Sequence, residues 1–198
     1  MKKLLGKVLS PLGVCLIAFA LTLLVLKGAP QLFHSRSPAA PVAGPEPPGV
    51  SVGDVVDLPE LSTLDGTPAS LKGLAENYML CVVFTTECAA CTDDAPLWQA
   101  LSVEAEKHHT AFRVLSLDDD RERIKRFAEA YEFANLPVLF DPNHQQLLNA
   151  LKISFVPQYL LLSSSGRVLG RWLGAQQYDP AKHQSAELDH FFEPVNSN

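Results

Sequence analysis

Two cysteines separated by two alanines, Cys88-Ala89-Ala90-Cys91, constrain this chain more than any other stretch. They directly follow Tyr78–Phe84, an apolar run of strand length, and open a segment whose Leu97, Leu101 and Ala105 recur at four-residue, helical spacing. That order places the first thiol at a helix start. Unpaired backbone N–H groups and the positive end of the helix dipole favour a thiolate there. The second thiol lies about one turn further on, within reach of a disulfide with the first. A dithiol so placed can exchange electrons with no bound cofactor, and neither a cofactor nor a metal is expected.

The rest of the chain frames that pair. Its 198 residues suit one domain with appendages. A formal net charge of −6 argues against a nucleic-acid partner. Four cysteines are too few for a disulfide-stapled scaffold. Cys15 and Cys81 lie inside apolar runs and read as small buried hydrophobes. Lys2, Lys3 and Lys7 precede an uncharged run from Val8 to Leu26, closed by Lys27. At about 1.5 Å per residue this run can cross a hydrocarbon core of about 30 Å. The leading lysines favour a cytoplasmic N-terminus and export of the remainder of the chain. Residues 1–27 thus read as a retained signal-anchor transmembrane helix, with a cleaved signal peptide as the alternative. Residues 28–49 form a Pro-rich, semi-rigid linker, with Pro30, Pro38, Pro41, Pro45, Pro47 and Pro48 among Ala, Gly and Ser.

The globular domain is expected over residues 50–194, with 195–198 as a tail. Leu58–Leu64 reads as a strand, turned at Asp65-Gly66 towards a second over Thr67–Ser70. Tyr78–Phe84 reads as a strand buried on both faces, and Cys88 to His108 as a helix kinked at Pro96. Arg113–Leu117 is a short strand, and the carboxylates of Asp118-Asp119-Asp120 are placed to cap a helix over Arg121–Tyr131. Strand Leu136–Phe140, helix Gln145–Leu151 and the hairpin Gln158–Leu162 with Val168–Leu173 come next, then a last helix over Pro180–Phe192. Alternating strands and helices ending in a hairpin predict an α/β fold with a central mixed β-sheet flanked by helices.

In this order the chain resembles the thioredoxin-like superfamily, and within it the membrane-anchored TlpA/ResA-type thiol–disulfide oxidoreductases of the AhpC/TSA–redoxin group. The resemblance runs from Val52-Gly53-Asp54 through Leu64-Asp65-Gly66, Ser70-Leu71, the Cys88–Cys91 motif and Pro96. It continues through Leu136-Pro137-Val138-Leu139-Phe140-Asp141 and Val156-Pro157 to Ser165-Gly166-Arg167-Val168. It implies a thioredoxin-like fold in which Pro157 is a cis-proline facing the dithiol. The Val156 backbone is then free to pair with an extended partner segment. The implied setting is a bacterial inner membrane, crossed once through residues 8–26, with the C-terminal domain in the periplasm. The implied partners are envelope protein thiols and disulfides and a membrane electron donor.

Two departures stand out. Where similar proteins carry Trp before the first cysteine, this chain has Glu87, a carboxylate at the substrate-facing position that opposes thiolate formation. With Ala89-Ala90 offering neither cation nor proline, a reducing or near-neutral poise is expected. Where similar proteins carry Glu three residues after the second cysteine, Asp94 stands. It reads either as a proton acceptor for the second thiol or as a helix-dipole charge.

Three other functions compete. Thr85-x-x-Cys88 matches the core of the peroxiredoxin arrangement, with Arg167 as a candidate distant arginine, although Cys81 stands where those proteins have proline. A Cu(I)-binding metallochaperone would use the two thiolates, but His108, His109, His144, His183 and His190 show no ligand spacing. A redox-inert scaffold is the third, and an intact dithiol argues against it.

Overall fold

The computed structural model describes residues 48–72, 76–143, 145–176, 178 and 188–196. The expected membrane run over 8–26, most of the linker, and the first part of the predicted last helix lie outside them. No helix among the described residues is long and apolar enough to cross a membrane. The described residues all fall in one compact unit, 47–198.

Seven strands form one sheet: β1 (Leu61–Thr63), β2 (Pro68–Ala69), β3 (Tyr78–Phe84), β4 (Thr110–Ser116), β5 (Val138–Phe140), β6 (Gln158–Ser163) and β7 (Val168–Leu173). Their spatial order is β2-β1-β5-β4-β3-β6-β7. β3, β4 and β5 run parallel, while β6, β7, β1 and β2 join antiparallel, so the sheet is mixed. Helices α1 (Ala89–Lys107) and α2 (Arg121–Ala130) supply Leu97, Trp98, Leu101, Ala105, Ile124 and Ala128 to the core on one face. Helix α3 (Gln145–Leu151) and the N-terminal segment supply Val50, Leu58, Leu147 and Leu151 to the other. β3 lies between the two, so its alternate residues enter opposite cores: Leu80, Val82 and Phe84 one, Met79, Cys81 and Val83 the other. Burial on both faces accounts for the unbroken apolar run.

Several predicted boundaries move. The first strand shortens to Leu61–Thr63, β4 begins at Thr110 rather than Arg113, and β5 begins at Val138. Pro137 cannot donate to the ladder, which fits the late start of β5. Pro48 and Gly49, assigned to the linker, belong to the compact unit. The Pro48 carbonyl accepts from Ser154 Oγ and from Arg171 Nη2, and Val50 is buried. The described end of the predicted last helix, Asp189–Phe191, is a 3-10 turn, followed by a short α4 (Glu193–Asn196) that takes in part of the assigned tail. The α1 helix is continuous through Pro96, which lies on its exposed side.

Of the three aspartates before α2, only Asp120 is its N-cap, accepting from the Arg123 N–H. At the opposite end of the sheet from the dithiol, Gly166 turns the β6–β7 hairpin with φ +79. A Cβ there would strike the Val56 carbonyl, so the turn requires glycine.

Candidate active site

The two sulfurs are neighbours and bonded. Cys88 and Cys91 form a disulfide with a Cα–Cα separation of 5.2 Å. Cys88 is the N-cap of α1, and its Sγ accepts the Cys91 backbone N–H at 3.1 Å. A sulfur thus occupies the capping place usually taken by a side-chain oxygen. In the reduced protein the same N–H and the helix end stabilise a thiolate on Cys88. Cys91 is fully buried in the α1-side core, whereas Cys88 is part-exposed. Access therefore distinguishes the two sulfurs.

The aromatic floor beneath the dithiol holds this geometry. Phe84 ends β3 and meets Trp98 and Phe133 with ring centroids 5.2 and 5.8 Å apart. Trp98 meets Phe133 at 4.8 Å. Such pairs add about 0.5–1.5 kcal/mol each beyond area burial. They fix the end of β3 against α1, and with it the loop Thr85–Glu87. Within that loop the Cys88 N–H donates to the Thr85 carbonyl at 3.3 Å.

The Val156-Pro157 bond is cis, as the resemblance implies. The Val156 carbonyl lies 3.6 Å from Cys88 Sγ, so the loop faces the accessible sulfur. Val156 itself is part-exposed, and its neighbour Phe155 is 54% exposed.

Asp94 is not a helix-terminal charge. It lies in the second turn of α1 and is 1% exposed. Tyr159 Oη donates to its Oδ2 at 2.6 Å, and the Gln176 N–H donates to both carboxylate oxygens at 3.0 and 3.1 Å. Trp98 Nε1 in turn donates to Tyr159 Oη at 3.1 Å. Burial raises the Asp94 pKa above its ordinary value, against the lowering effect of the Tyr159 and Gln176 bonds. Burial also raises the Tyr159 pKa, helped by the Asp94 charge, so the phenol stays a donor. The sequence reading missed Tyr159, Trp98 and Gln176. A usable signal existed in one of them, since Trp98 is four residues after Asp94 on the same helix face.

Glu87 does not stand alone beside the thiol. It is exposed and its Oε1 lies 3.2 Å from Arg123 Nη1 on α2. Arg123 Nη2 is 2.7 Å from Asp118 Oδ1, and Asp118 Oδ2 accepts the Thr86 N–H at 2.7 Å. Arg167 points elsewhere: it sits in the far hairpin and donates to the Gly53 carbonyl, so it cannot serve as a distant arginine for Cys88. Among the described residues, one group could hold a metal ion: Glu104, His108 and Asp189, which contains no cysteine. Cys81 is sealed within β3, donates to the Leu160 carbonyl, and has its pKa pushed up by burial to about 12.

A bonded, asymmetrically exposed dithiol at a helix start, opposite a cis-proline on a mixed sheet, defines a thioredoxin-like thiol–disulfide oxidoreductase. Residues 52–169 match the AhpC/TSA family, and the chain belongs to it. No curated protein matches the sequence. Solved structures share the fold. A putative thiol:disulfide interchange protein DsbE from Chlorobium tepidum aligns with TM-score 0.60 at 18% identity, over 74% of this chain and 98% of that one. StoA from Bacillus subtilis aligns with TM-score 0.53 at 16% identity, over 74% and 100%. The thioredoxin domain of a thiol-disulfide oxidoreductase from Bacteroides vulgatus aligns with TM-score 0.58 at 17% identity, over 65% and 92%.

Proposed function

We propose that this protein reduces disulfides of partner proteins in the bacterial cell envelope, held at the inner membrane by residues 8–26 with its C-terminal domain in the periplasm. The observation that carries the chemistry is the Cys88–Cys91 disulfide with Cys88 part-exposed at the mouth of α1 against Val156. The lysines ahead of the apolar run support the setting.

The reaction runs in two exchanges. The Cys88 thiolate attacks one sulfur of a partner disulfide. The partner S–S bond breaks, a Cys88–partner S–S bond forms, and the leaving thiolate takes a proton. Cys91 then loses its proton and attacks Cys88 Sγ. This releases the second partner thiol and restores the Cys88–Cys91 disulfide. Two electrons have passed to the partner, and a membrane electron donor supplies two more, with two protons, to reduce the Cys88–Cys91 disulfide again. The cis-Pro157 loop, with Val156, would lay the extended partner segment beside Cys88. Asp94, one turn from Cys91 and ionisable inside the core, is suited to take the Cys91 proton during the second exchange.

The reducing direction rests on the Ala89-Ala90 pair, which supplies no cation and no proline to stabilise a thiolate strongly. The test uses the reduced full chain in detergent with insulin as the disulfide. Wild type should precipitate insulin chains, Cys88→Ser should not, and Cys91→Ser should accumulate mixed disulfides. Full activity in Cys88→Ser would end the proposal. Titration against glutathione checks direction separately; a midpoint near about −120 mV, the strongly oxidising value of DsbA, would reverse it.

A peroxidase reading draws on the family match and on Thr85-x-x-Cys88. It loses its arginine at Arg167, and comparison of peroxide-dependent oxidation in wild type and Thr85→Val separates it from disulfide reduction.

A further inference from the structure

The Cys-Ala-Ala-Cys sequence carries no cation, and the residue ahead of it is an acid. The structure brings a cation to this place from another element. Arg123, on the first turn of α2, spans two carboxylates: Nη1 to Glu87 Oε1 at 3.2 Å and Nη2 to Asp118 Oδ1 at 2.7 Å. Asp118 is buried, accepts from Ser116 Oγ at 3.3 Å, and holds the Thr86 N–H at 2.7 Å. The guanidinium is therefore tied twice to the three residues that lead into Cys88, once through the Glu87 side chain and once through the Thr86 backbone. Sequence distance hides this, because Arg123 lies 36 residues from Glu87.

We propose that Arg123 is the positioning and charge-setting residue for Cys88, lowering the pKa of its thiol in the reduced protein. The inference deepens the dithiol reading above and rests on it. Without Arg123 the Thr86–Cys88 loop would have two uncompensated carboxylates against it, its own Glu87 and Asp118 beyond β4. Both would oppose a thiolate next to them. With Arg123 one of the two charges is cancelled, and the guanidinium reaches both carboxylates from one side chain.

The other charged groups near Cys88 do not supply this cation. Asp93 and Asp94 on α1 and Asp119 and Asp120 on the β4–α2 loop are all acids. The loop facing Cys88 across the site, Phe155-Val156-Pro157, carries no charge. Asp94 is bound by Tyr159 and Gln176. Because the Glu87 and Arg123 side chains reach solvent, the effect is moderate and sensitive to salt.

The experiment measures the alkylation rate of Cys88 by iodoacetamide against pH. It uses the reduced full chain, quantified on the Cys88 peptide by mass spectrometry. Arg123→Gln should slow the reaction at pH 7 and low salt by about threefold, the size expected for one charge acting across partly exposed surface. Its pH profile should move upward, and salt at about 1 M should shrink the difference. Glu87→Gln should move the profile downward. Adding Arg123→Gln to Glu87→Gln should shift it less than Arg123→Gln does alone. Arg123→Lys should recover at least half of the lost rate.

An unmoved profile in Arg123→Gln overturns the proposal. So does a salt-independent shift, or a Lys variant that behaves like Gln, since either would mark a purely structural effect. Alkylation needs no partner, whereas insulin reduction by wild type does. Failure of this inference is therefore separable from failure of the disulfide-reductase reading.

Discussion

Cys81 and Cys88 lie seven residues apart in sequence, and the fold makes them chemically opposite. Cys81 is fully buried in the middle of β3, between β4 and β6, and its thiol donates to the Leu160 carbonyl. Desolvation is the leading influence there and pushes its pKa up to about 12. Cys88 sits beyond the end of the same strand, where the sheet gives way to a helix start. Its sulfur already accepts a backbone N–H, and a guanidinium is tied to the loop before it. The residue type is shared; the difference comes from what the backbone presents. A strand interior offers no free N–H groups, while the first turn of a helix offers several.

The largest expected effect comes from that contrast. At pH 8 a thiol of pKa about 12 is ionised in about one molecule in 10,000. In the reduced, folded protein iodoacetamide should label Cys88 at least about 1,000-fold faster than Cys81, the latter reacting only after unfolding in guanidinium. Peptide mass spectrometry reads the ratio directly. Comparable labelling of Cys81 in the folded protein would remove the contrast. Cys81→Ala should leave insulin reduction intact while costing about 1 kcal/mol in urea unfolding, the ordinary range for a small core truncation.

How much of this contrast was legible in the sequence depends on the range of the interactions. The strand–thiol–helix order and the burial of Cys81 are local, carried by the apolar run Tyr78–Phe84 and the four-residue spacing after it. The cis bond at Pro157 and its place beside the dithiol came only through resemblance, since no spacing between positions 88 and 157 implies contact. Asp94 was visible as a carboxylate, but its burial was not. Burial depends on Tyr159 from β6 and Gln176 beyond β7, which reach it only once the sheet is assembled. Glu87 was read from its neighbour in sequence, and the charge that answers it arrives from α2. The Asp118–Asp120 run had a local explanation as caps, correct for Asp120. That explanation concealed the long-range role of Asp118 at Thr86.

The polar chain Trp98–Tyr159–Asp94 sharpens the comparison across the sheet. Cys81 on one face has the Leu160 carbonyl as its hydrogen-bond partner, whereas the face beneath the dithiol buries a chain of side-chain donors and acceptors. Tyr159→Phe deletes one oxygen and breaks two hydrogen bonds: the Trp98 N–H loses its acceptor, and Asp94 keeps only the Gln176 N–H. Buried groups left unpaired cost about 1–3 kcal/mol. The variant should therefore unfold at lower urea than Cys81→Ala, with the slope unchanged. A cost no greater than that of Cys81→Ala would mean the chain contributes nothing beyond packing.

The smallest effect is the most specific, because it changes sign-sensitive behaviour without removing a side chain. Asp94 has a pKa raised above its unfolded value, with burial as the leading cause. Its proton is held more tightly in the folded protein than in the unfolded chain. The stability associated with that proton is fully present below the unfolded carboxylate pKa and is lost as pH rises through the folded value. Asp94→Asn keeps the size of the group and cannot ionise, so it does not share this loss. Thermal unfolding of wild type and Asp94→Asn should thus separate progressively as pH rises above the ordinary carboxylate value of about 4. The variant should gain in Tm relative to wild type over that rise. Insulin reduction should change in the opposite sense: Asp94→Asn cannot take the Cys91 proton, so the second exchange should slow and mixed disulfides should persist. A Tm difference that is flat with pH would show that the folded protein holds Asp94 no differently from the unfolded chain. Faster release of mixed disulfides in Asp94→Asn would show that the carboxylate hinders the second exchange rather than serving it.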